Sequence, residues 1–202
     1  MRSNILVTGF CSVGTAQPDM LEEFLQSLRS VGRLTVVPLF LKRQVFFNGA
    51  EHFGQRICDV SKRVHATAII SLMMDSDFEA LHVGLNAYNW SNHINDLGGT
   101  EKQRVSAVDP PLLVKSIKTD NWQAAHIAKS LESKGISLMD QLFTETVKNK
   151  LDYGNALMYR TLTGLGPLCR LPYVFLRLPE SSNLAQMSEI LSVFADERVI
   201  AY

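Results

Sequence analysis

The sequence predicts an α/β fold organised around a mostly parallel sheet. Short apolar runs rich in β-branched residues alternate along the chain with longer amphipathic segments, which is the pattern of consecutive strand–helix–strand units. One of these runs, residues 66–74, is nearly all apolar, as is typical of a central strand that is buried on both faces of a sheet. Together these observations predict that parallel strands form the core.

The first half of the chain contains three predicted strands and two predicted helices. Residues 5–8 predict a buried strand, and residues 9–14 predict the loop that leaves it. A helix opens at Pro18, and its early Glu22 and Glu23 suit the positive end of the helix dipole. This helix is predicted to end at Gly32. The other predicted elements in this half are a strand at 34–41, a helix at 50–65 and a strand at 66–74.

In the second half, the hydrophobic pattern changes to shorter alternation. Residues 78–90 predict a strand or a hairpin, and the polar segment 89–111 predicts the longest loop of the chain. Loops of this length usually have a function. The later predicted elements are a helix at 121–134 that Gly135 stops, a helix at 153–165, a strand at 172–178 and a closing helix at 183–195.

Length and charge restrict the architecture and the partners. The chain has 202 residues, 46% of them hydrophobic, with 20 Lys plus Arg against 20 Asp plus Glu. We therefore expect one globular domain over residues 1–202. A formal net charge of zero argues against nucleic acid and anionic membranes as partners, because counterion release needs a surplus of basic residues on one face.

The three cysteines are widely scattered. Cys11, Cys58 and Cys169 have no C-x-x-C spacing, so they indicate neither a disulfide framework nor a zinc knuckle. The sequence also has no apolar stretch of the roughly 18 residues that a membrane span needs. These features favour a soluble protein of the reducing cytoplasm, and we expect neither a metal nor a cofactor.

The common catalytic signatures are absent from the sequence. It has no G-x-x-x-x-G-K-S/T phosphate loop, no G-x-G-x-x-G turn after the first strand, no G-x-S-x-G elbow and no H-E-x-x-H helix. Cys11 follows the first predicted strand, where open α/β sheets place their ligand crevices. As a nucleophile it needs a base, which His82 or His93 would supply if the fold brings them close; the alternative is a packed thiol. Asp75 and Asp77 predict either a metal or acid/base site or, more simply, a turn after a strand.

Five short motifs resemble those of a known family and occur in the same order along the chain. They are Ile5-Leu6-Val7-Thr8-Gly9-Phe10 with a loop to Gly14, Leu81-His82-Val83-Gly84-Leu85-Asn86, Asp109-Pro110-Pro111 with Ser116, Tyr153-Gly154-Asn155 with Met158-Tyr159, and Phe175-Leu176-Arg177-Leu178-Pro179. The set resembles pyroglutamyl peptidase type I, the pyrrolidone-carboxylate peptidases. In that family the patterns are Gly-Phe-x-x-Phe-Gly, Glu-Arg-Val-Ala-x-Asn, Asp-Gly-Pro, Cys-Asn and Phe-Ile-His-Val-Pro. The resemblance covers nearly the whole chain.

The resemblance implies a three-layer α/β/α fold of the phosphorylase/hydrolase-like kind and an oligomeric assembly. It also implies a cysteine peptidase that removes N-terminal pyroglutamyl residues with a Cys nucleophile, a His base and a supporting Glu. Here the Glu position carries Leu81, the Cys position Gly154 and the His position Arg177. Glycine has no nucleophile, leucine accepts no proton and arginine stays protonated, so we expect no pyroglutamyl peptidase activity.

The resemblance further implies a ligand pocket that is retained in part. The family binds the pyrrolidone ring between aromatic residues; Phe10 is kept, Val13 replaces the second aromatic residue of the loop, and Tyr153 would supply another wall. Cys11 lies in the same first loop. Beside Phe10, Arg177 would hold an anionic or carboxylate-bearing group through two parallel hydrogen bonds. The alternative is that Arg177 pairs with a neighbouring acidic residue.

Three hypotheses of function from different classes follow. The first is a pseudo-peptidase that binds a small anionic or peptide-like ligand, or a protein, in the former active-site cleft. The second is an enzyme with rebuilt chemistry, in which Cys11, His82, Asp152 or Arg177 acts on a small amide, cyclic amide or peptide-like substrate. The third is a protein interaction module. The altered catalytic positions favour the first.

Overall fold

A seven-stranded sheet forms the centre of the structure. The structure is a computed structural model. It describes residues 4–11, 18–31, 34–40, 50–75, 78–84, 86–87, 90–94, 100–104, 115–116, 128–144 and 173–195. The strands are β1 Asn4–Cys11, β2 Ser30–Val31, β3 Leu34–Phe40, β4 Ala66–Asp75, β5 Leu81–Gly84, β6 Asn86–Ala87, β7 Trp90–Ile94, β8 Thr100–Arg104, β9 Lys115–Ser116, β10 Leu138–Thr144 and β11 Tyr173–Pro179. The helices are α1 Pro18–Ser27, α2 Ala50–Arg63 and α3 Leu184–Ala195, and residues 128–133 are also helical.

Four consecutive strands of the large sheet are parallel. The strand order is β10-β5-β11-β4-β1-β3-β2, and β11, β4, β1 and β3 run in one direction. Beyond them, β5 is antiparallel to β11, β10 is parallel to β5, and the short β2 is antiparallel to β3. The predicted α/β fold with a mostly parallel sheet is therefore confirmed.

Different helices cover the two faces of this sheet. Side chains alternate between the faces along a strand, and the buried even-numbered residues of β4 pack in a core cluster with α1, α3 and the helical segment 128–133. The odd-numbered residues of β4 point to the opposite face. There α2 packs against β4 and buries its own Ile57 and Cys58. Right-handed crossovers that turn in opposite directions from β1 place α1 and α2 on opposite faces.

Strand β1 continues three residues beyond its predicted end. Residues 9–11, predicted as the start of a loop, pair instead with residues 72–74 of β4. The prediction is wrong there because glycine is typical of turns, whereas Gly9 serves a close approach between a helix and a strand. A Cβ atom at Gly9 would overlap the side chain of Leu25 in α1 and would contact Leu21 at 3.3 Å.

Two predicted helix boundaries are confirmed by their hydrogen bonds. Gly135 has a φ of 72°, and Ile136 N–H donates to the Leu131 carbonyl at 3.1 Å, which is a Schellman-type helix end. At the start of α3, Gln186 N–H donates to Asn183 Oδ1 and Asn183 N–H donates to Gln186 Oε1, both at 3.0 Å. This reciprocal pair is a capping box.

The segment 89–111, predicted as a loop, contains a β-hairpin. Strands β7 and β8 pair antiparallel through all five residues of each. The prediction is wrong there because a two-stranded ribbon is held by backbone hydrogen bonds, and a polar ribbon lacks the apolar alternation that marks buried strands. The edge strand β10 was not predicted either.

The predicted helix 153–165 lies outside the described residues. Residues 121–127 of the helix predicted at 121–134 also lie outside them.

Strand β3 is paired along most of its length on one side and at only two residues on the other. On the inner side it pairs with β1 from Thr35 to Phe40. On the outer side β2 pairs only with Leu34 and Thr35. Further along β3, Pro38 is exposed and is paired in register with Val7 of β1.

We expect the substitution Gly9→Val to lower the free energy of unfolding by about 1–3 kcal/mol, because the new side chain would overlap the buried Leu25 in a closely packed core. Urea denaturation followed by circular dichroism measures the change. The exposed substitution Ala185→Ser in α3 is the control, with an expected change within about 0.5 kcal/mol. Equal stability of Gly9→Val and the wild-type chain would show that the contact between α1 and β1 adjusts without cost.

Candidate functional site

The carboxyl ends of the central strands meet at one end of the sheet. Phe10 of β1 is paired in register with Met73 of β4, and Met73 with Arg177 of β11. Arg177 is in turn paired with His82 of β5. These four residues form one row across the sheet. Because neighbouring strands lie about 4.8 Å apart, the backbones of Phe10 and Arg177 are separated by roughly 10 Å.

The same end of the sheet contains its topological switch point. From β1 the chain continues to β3 on one side of β1, and from β3 it returns to β4 on the other side. In open α/β sheets, ligands bind in the crevice outside the carboxyl ends of the strands at such a reversal, which here lies between β1 and β4. Cys11 ends β1 and is paired with Met74, and Asp75 ends β4.

Arg177 and Asp75 form a buried ion pair at this position. Arg177 Nη1 donates a hydrogen bond to Asp75 Oδ2 at 3.0 Å, and the two side chains are only 4% and 5% exposed. The register pairs Asp75 with Pro179, so Arg177 and Asp75 lie on the same face of neighbouring strands. Burial of either charge alone would be strongly unfavourable, and each side chain therefore depends on the other.

Two phenylalanine rings lie against the guanidinium group of Arg177. Its Cζ atom is 5.1 Å from the ring centroid of Phe78 and 5.6 Å from that of Phe175, distances that are typical of cation–π contacts. Phe78 reaches this place through the turn after β4, where its N–H donates to the Asp75 carbonyl at 3.3 Å. Its ring also packs on the ring of His82, with centroids 5.3 Å apart.

A second polar contact lies on the same face of the sheet. Thr8 Oγ1 and Ser71 Oγ share a hydrogen bond of 2.7 Å, and both residues are completely buried. Thr8 is paired in register with Ser71, and Ser71 with Phe175. This row lies two residues before the row of Arg177, so the face that carries the ion pair is more polar than the apolar core on the opposite face.

Leu81 and Arg177 point to opposite faces of the sheet. Leu81 is 1% exposed and packs in the core cluster that also contains Leu176. Because side chains alternate along a strand, Arg177 points away from that cluster, and so does His82. The structure therefore places His82, and not Leu81, on the face of Arg177.

Cys11 and His82, one of its two predicted bases, are not brought together. Cys11 lies on β1 and His82 on β5, with β4 and β11 between these strands. Three strand spacings separate their backbones by about 14 Å. A nucleophile and its base need to lie within hydrogen-bond reach, about 3 Å between heavy atoms. His93 lies in β7, which belongs to a separate two-stranded sheet.

The predicted binding residues are described only in part. Phe10 and Cys11 are the last residues of β1, and Arg177 is buried in β11. The remaining predicted positions, Val13, Asp152, Tyr153 and Gly154, lie outside the described residues.

Two residues of the site, Asp75 and Phe78, were absent from the predicted pocket. Asp75 directly follows an almost wholly apolar strand, and the simpler interpretation of such a residue is a turn. The more informative signal is that a carboxylate at the end of a buried strand needs a basic partner. Arg177 is 102 positions away in sequence, so spacing along the chain does not identify it.

The described residues show neither a metal centre nor a membrane span. No group of three or more His, Cys, Asp or Glu side chains that could hold a metal ion occurs among them. None of the described helices is long and apolar enough to cross a membrane. The sequence matches no protein-family model, and it gives no significant match to a curated protein.

Solved structures share this architecture. A pyrrolidone carboxyl peptidase from Thermococcus litoralis superposes with a TM-score of 0.71 at 16% identity, over 95% of this chain and 90% of that chain. Pyroglutamyl peptidase I from Bacillus amyloliquefaciens gives a TM-score of 0.72 at 15% identity, over 100% of this chain and 97% of that chain. This chain has the pyroglutamyl peptidase I fold. A mutant pyrrolidone carboxyl peptidase from Pyrococcus furiosus gives 0.69 at 17% identity, over 94% and 95% of the two chains.

The pyroglutamyl peptidase I fold agrees with the resemblance that the sequence motifs carry. With 15–17% identity to these structures, the likeness shows the fold alone. Function is determined by the residues of the site, because one fold can carry unrelated activities.

We expect the substitutions Asp75→Leu and Arg177→Met each to lower the free energy of unfolding by about 3–5 kcal/mol, because each leaves a buried charge without its partner. The double variant should lose less than the sum, with a coupling energy of about 1–3 kcal/mol. Chemical denaturation of the four proteins measures this cycle.

The exposed ion pair between Lys134 and Glu189 provides the control, since its side chains are 37% and 49% exposed. Glu189→Gln should change the stability by no more than about 1 kcal/mol. Additive effects at Asp75 and Arg177 would contradict a coupled buried pair.

Proposed function

We propose that this chain is a catalytically degenerate relative of pyroglutamyl peptidase I, which acts by binding a small anionic or peptide-like ligand, or a protein, at the carboxyl end of its sheet. One observation carries the proposal. Arg177, where the resemblance implies the histidine base, is buried and ion-paired with Asp75. A guanidinium group keeps its proton at physiological pH, and a neighbouring carboxylate stabilises that charged form further. Arg177 therefore cannot remove a proton from a thiol.

The other two altered positions support the same proposal. Leu81, at the position where the resemblance implies the supporting Glu, is buried in an apolar cluster on the opposite face from Arg177, so its side chain does not reach a group at position 177. It neither accepts a proton nor orients a base. Gly154, at the position of the nucleophile, has no side chain. Since the nucleophile and its base act as one unit, the loss of either is sufficient to remove the mechanism.

The placement of the binding site follows from the topology. The switch point between β1 and β4 is where a fold of this class offers a crevice, and Phe10, Cys11 and Arg177 belong to the strands around it. We propose that these three residues, together with Val13 and Tyr153 from segments that the resemblance places nearby, form the ligand-binding site. The ligand occupies the site without covalent chemistry, either in a single chain or in a homo-oligomer.

We expect the purified chain to release no chromophore from pyroglutamyl p-nitroanilide above the rate of its Arg177→Met variant. Pyroglutamyl peptidase I from Bacillus amyloliquefaciens, assayed at the same concentration, is the positive control. The expected rate is at least about 10⁴-fold below that control, because single losses within such catalytic units cost at least this much. Turnover by the wild-type chain within tenfold of the control would overturn the proposal.

A further inference from the structure

We infer that Asp75 makes this site select against anionic ligands, so that the group of a ligand that meets Arg177 carries no negative charge. The inference rests on the proposed function, since it concerns a ligand at the carboxyl end of the sheet. Of the two small-ligand classes in that proposal, the inference removes the anionic class at Arg177. It keeps the peptide-like class, with an uncharged group against Arg177, and it makes Asp75 a specificity-determining residue.

Asp75 already supplies the carboxylate that an arginine in a binding site would otherwise take from a ligand. Arginine is the residue best suited to hold a carboxylate, through charge-assisted hydrogen bonds from its planar N–H groups. Here Asp75 Oδ2 accepts such a bond from Arg177 at 3.0 Å. With exposures of 5% and 4%, the two side chains are shielded from water. Asp75 therefore acts as an internal ligand of Arg177.

An incoming anion has two ways to reach Arg177, and both are unfavourable. It can displace Asp75, which takes a buried carboxylate away from the guanidinium group that compensates its charge. It can also bind beside Asp75, which places two negative charges next to each other in a region of low dielectric constant. An uncharged group, such as an amide or a hydroxyl, meets neither penalty because it accepts a hydrogen bond without adding charge.

The aromatic neighbours of Arg177 restrict the approach further. Phe78 and Phe175 both lie within 5.6 Å of the guanidinium carbon. Rings in this position cover the guanidinium group with apolar surface, where a hydrated anion would have to give up its water. A ligand group that meets Arg177 therefore competes with these two rings as well as with Asp75.

Small carboxylates test the inference directly. Thermal unfolding is measured in sodium acetate and in sodium formate, each against sodium chloride at equal ionic strength. The measurements are made at pH 8, where an ordinary imidazole is uncharged. The wild-type chain should show no saturable rise of Tm that is specific to the carboxylates. The Asp75→Ala variant should show one, with an apparent affinity for acetate at least about tenfold higher than that of the wild-type chain, because acetate replaces the missing side chain.

Three further variants make the result specific. Asp75→Ala combined with Arg177→Met should lose the acetate effect, and Glu189→Ala, which removes an exposed ion-paired carboxylate from Lys134, should not gain one. If Asp75→Ala does not fold, Asp75→Asn decides, since it removes the charge with little change of shape and should also gain affinity for acetate.

Two results would overturn the inference. One is a saturable acetate effect in the wild-type chain that is weakened in Arg177→Lys. The other is a failure of both Asp75 variants to gain an effect of acetate. Neither measurement depends on turnover, so release of pyroglutamate in the peptidase assay would refute the proposed function and leave the result on charge selection in place.

Discussion

Complete burial of β4 is the constraint on which the rest of the structure depends. Every residue of this strand from Ala68 to Asp75 is buried, because helices cover both faces of the sheet and β1 and β11 flank it. A strand in this position tolerates a polar side chain only with a partner. Ser71 is bonded to Thr8 of β1, and Asp75 to Arg177 of β11. The polar contacts therefore join β4 to each neighbouring strand and fix the row of residues in which the candidate site lies.

The elements that the sequence predicted are those whose burial requires a recognisable run or spacing of apolar residues. The parallel strands β1, β3, β4 and β11 all coincide with predicted apolar runs, and the ends of two helices were indicated by Gly135 and Asn183. The hairpin of β7 and β8 and the edge strand β10 escaped prediction, since backbone pairing leaves no such pattern. Asp75 and Arg177, 102 positions apart, become neighbours only through the strand order. That order comes from the topology and not from any local property of the chain.

The candidate site combines a known fold with residues that differ from those the resemblance implies. The fold brings the ends of β1, β4 and β11 together, as a binding crevice in an open α/β sheet requires. Where the resemblance implies a base that exchanges a proton, the chain has an arginine that is ion-paired with Asp75. Within the pair, the two opposite charges compensate each other. Under the proposed function, recognition there depends on shape and hydrogen bonding and needs no reactive residue.

Pro38 has a consequence for how copies of this chain meet. A strand near the border of a sheet offers its unpaired N–H and C=O groups to any other chain with an extended segment. On the outer side of β3, pairing with β2 stops at Thr35, and Pro38 follows three residues later without an N–H group to donate. Continuous addition of a foreign strand is interrupted at that residue. Association of copies through this border into fibrous aggregates is thereby discouraged, while ordered assembly through helical surfaces is not affected.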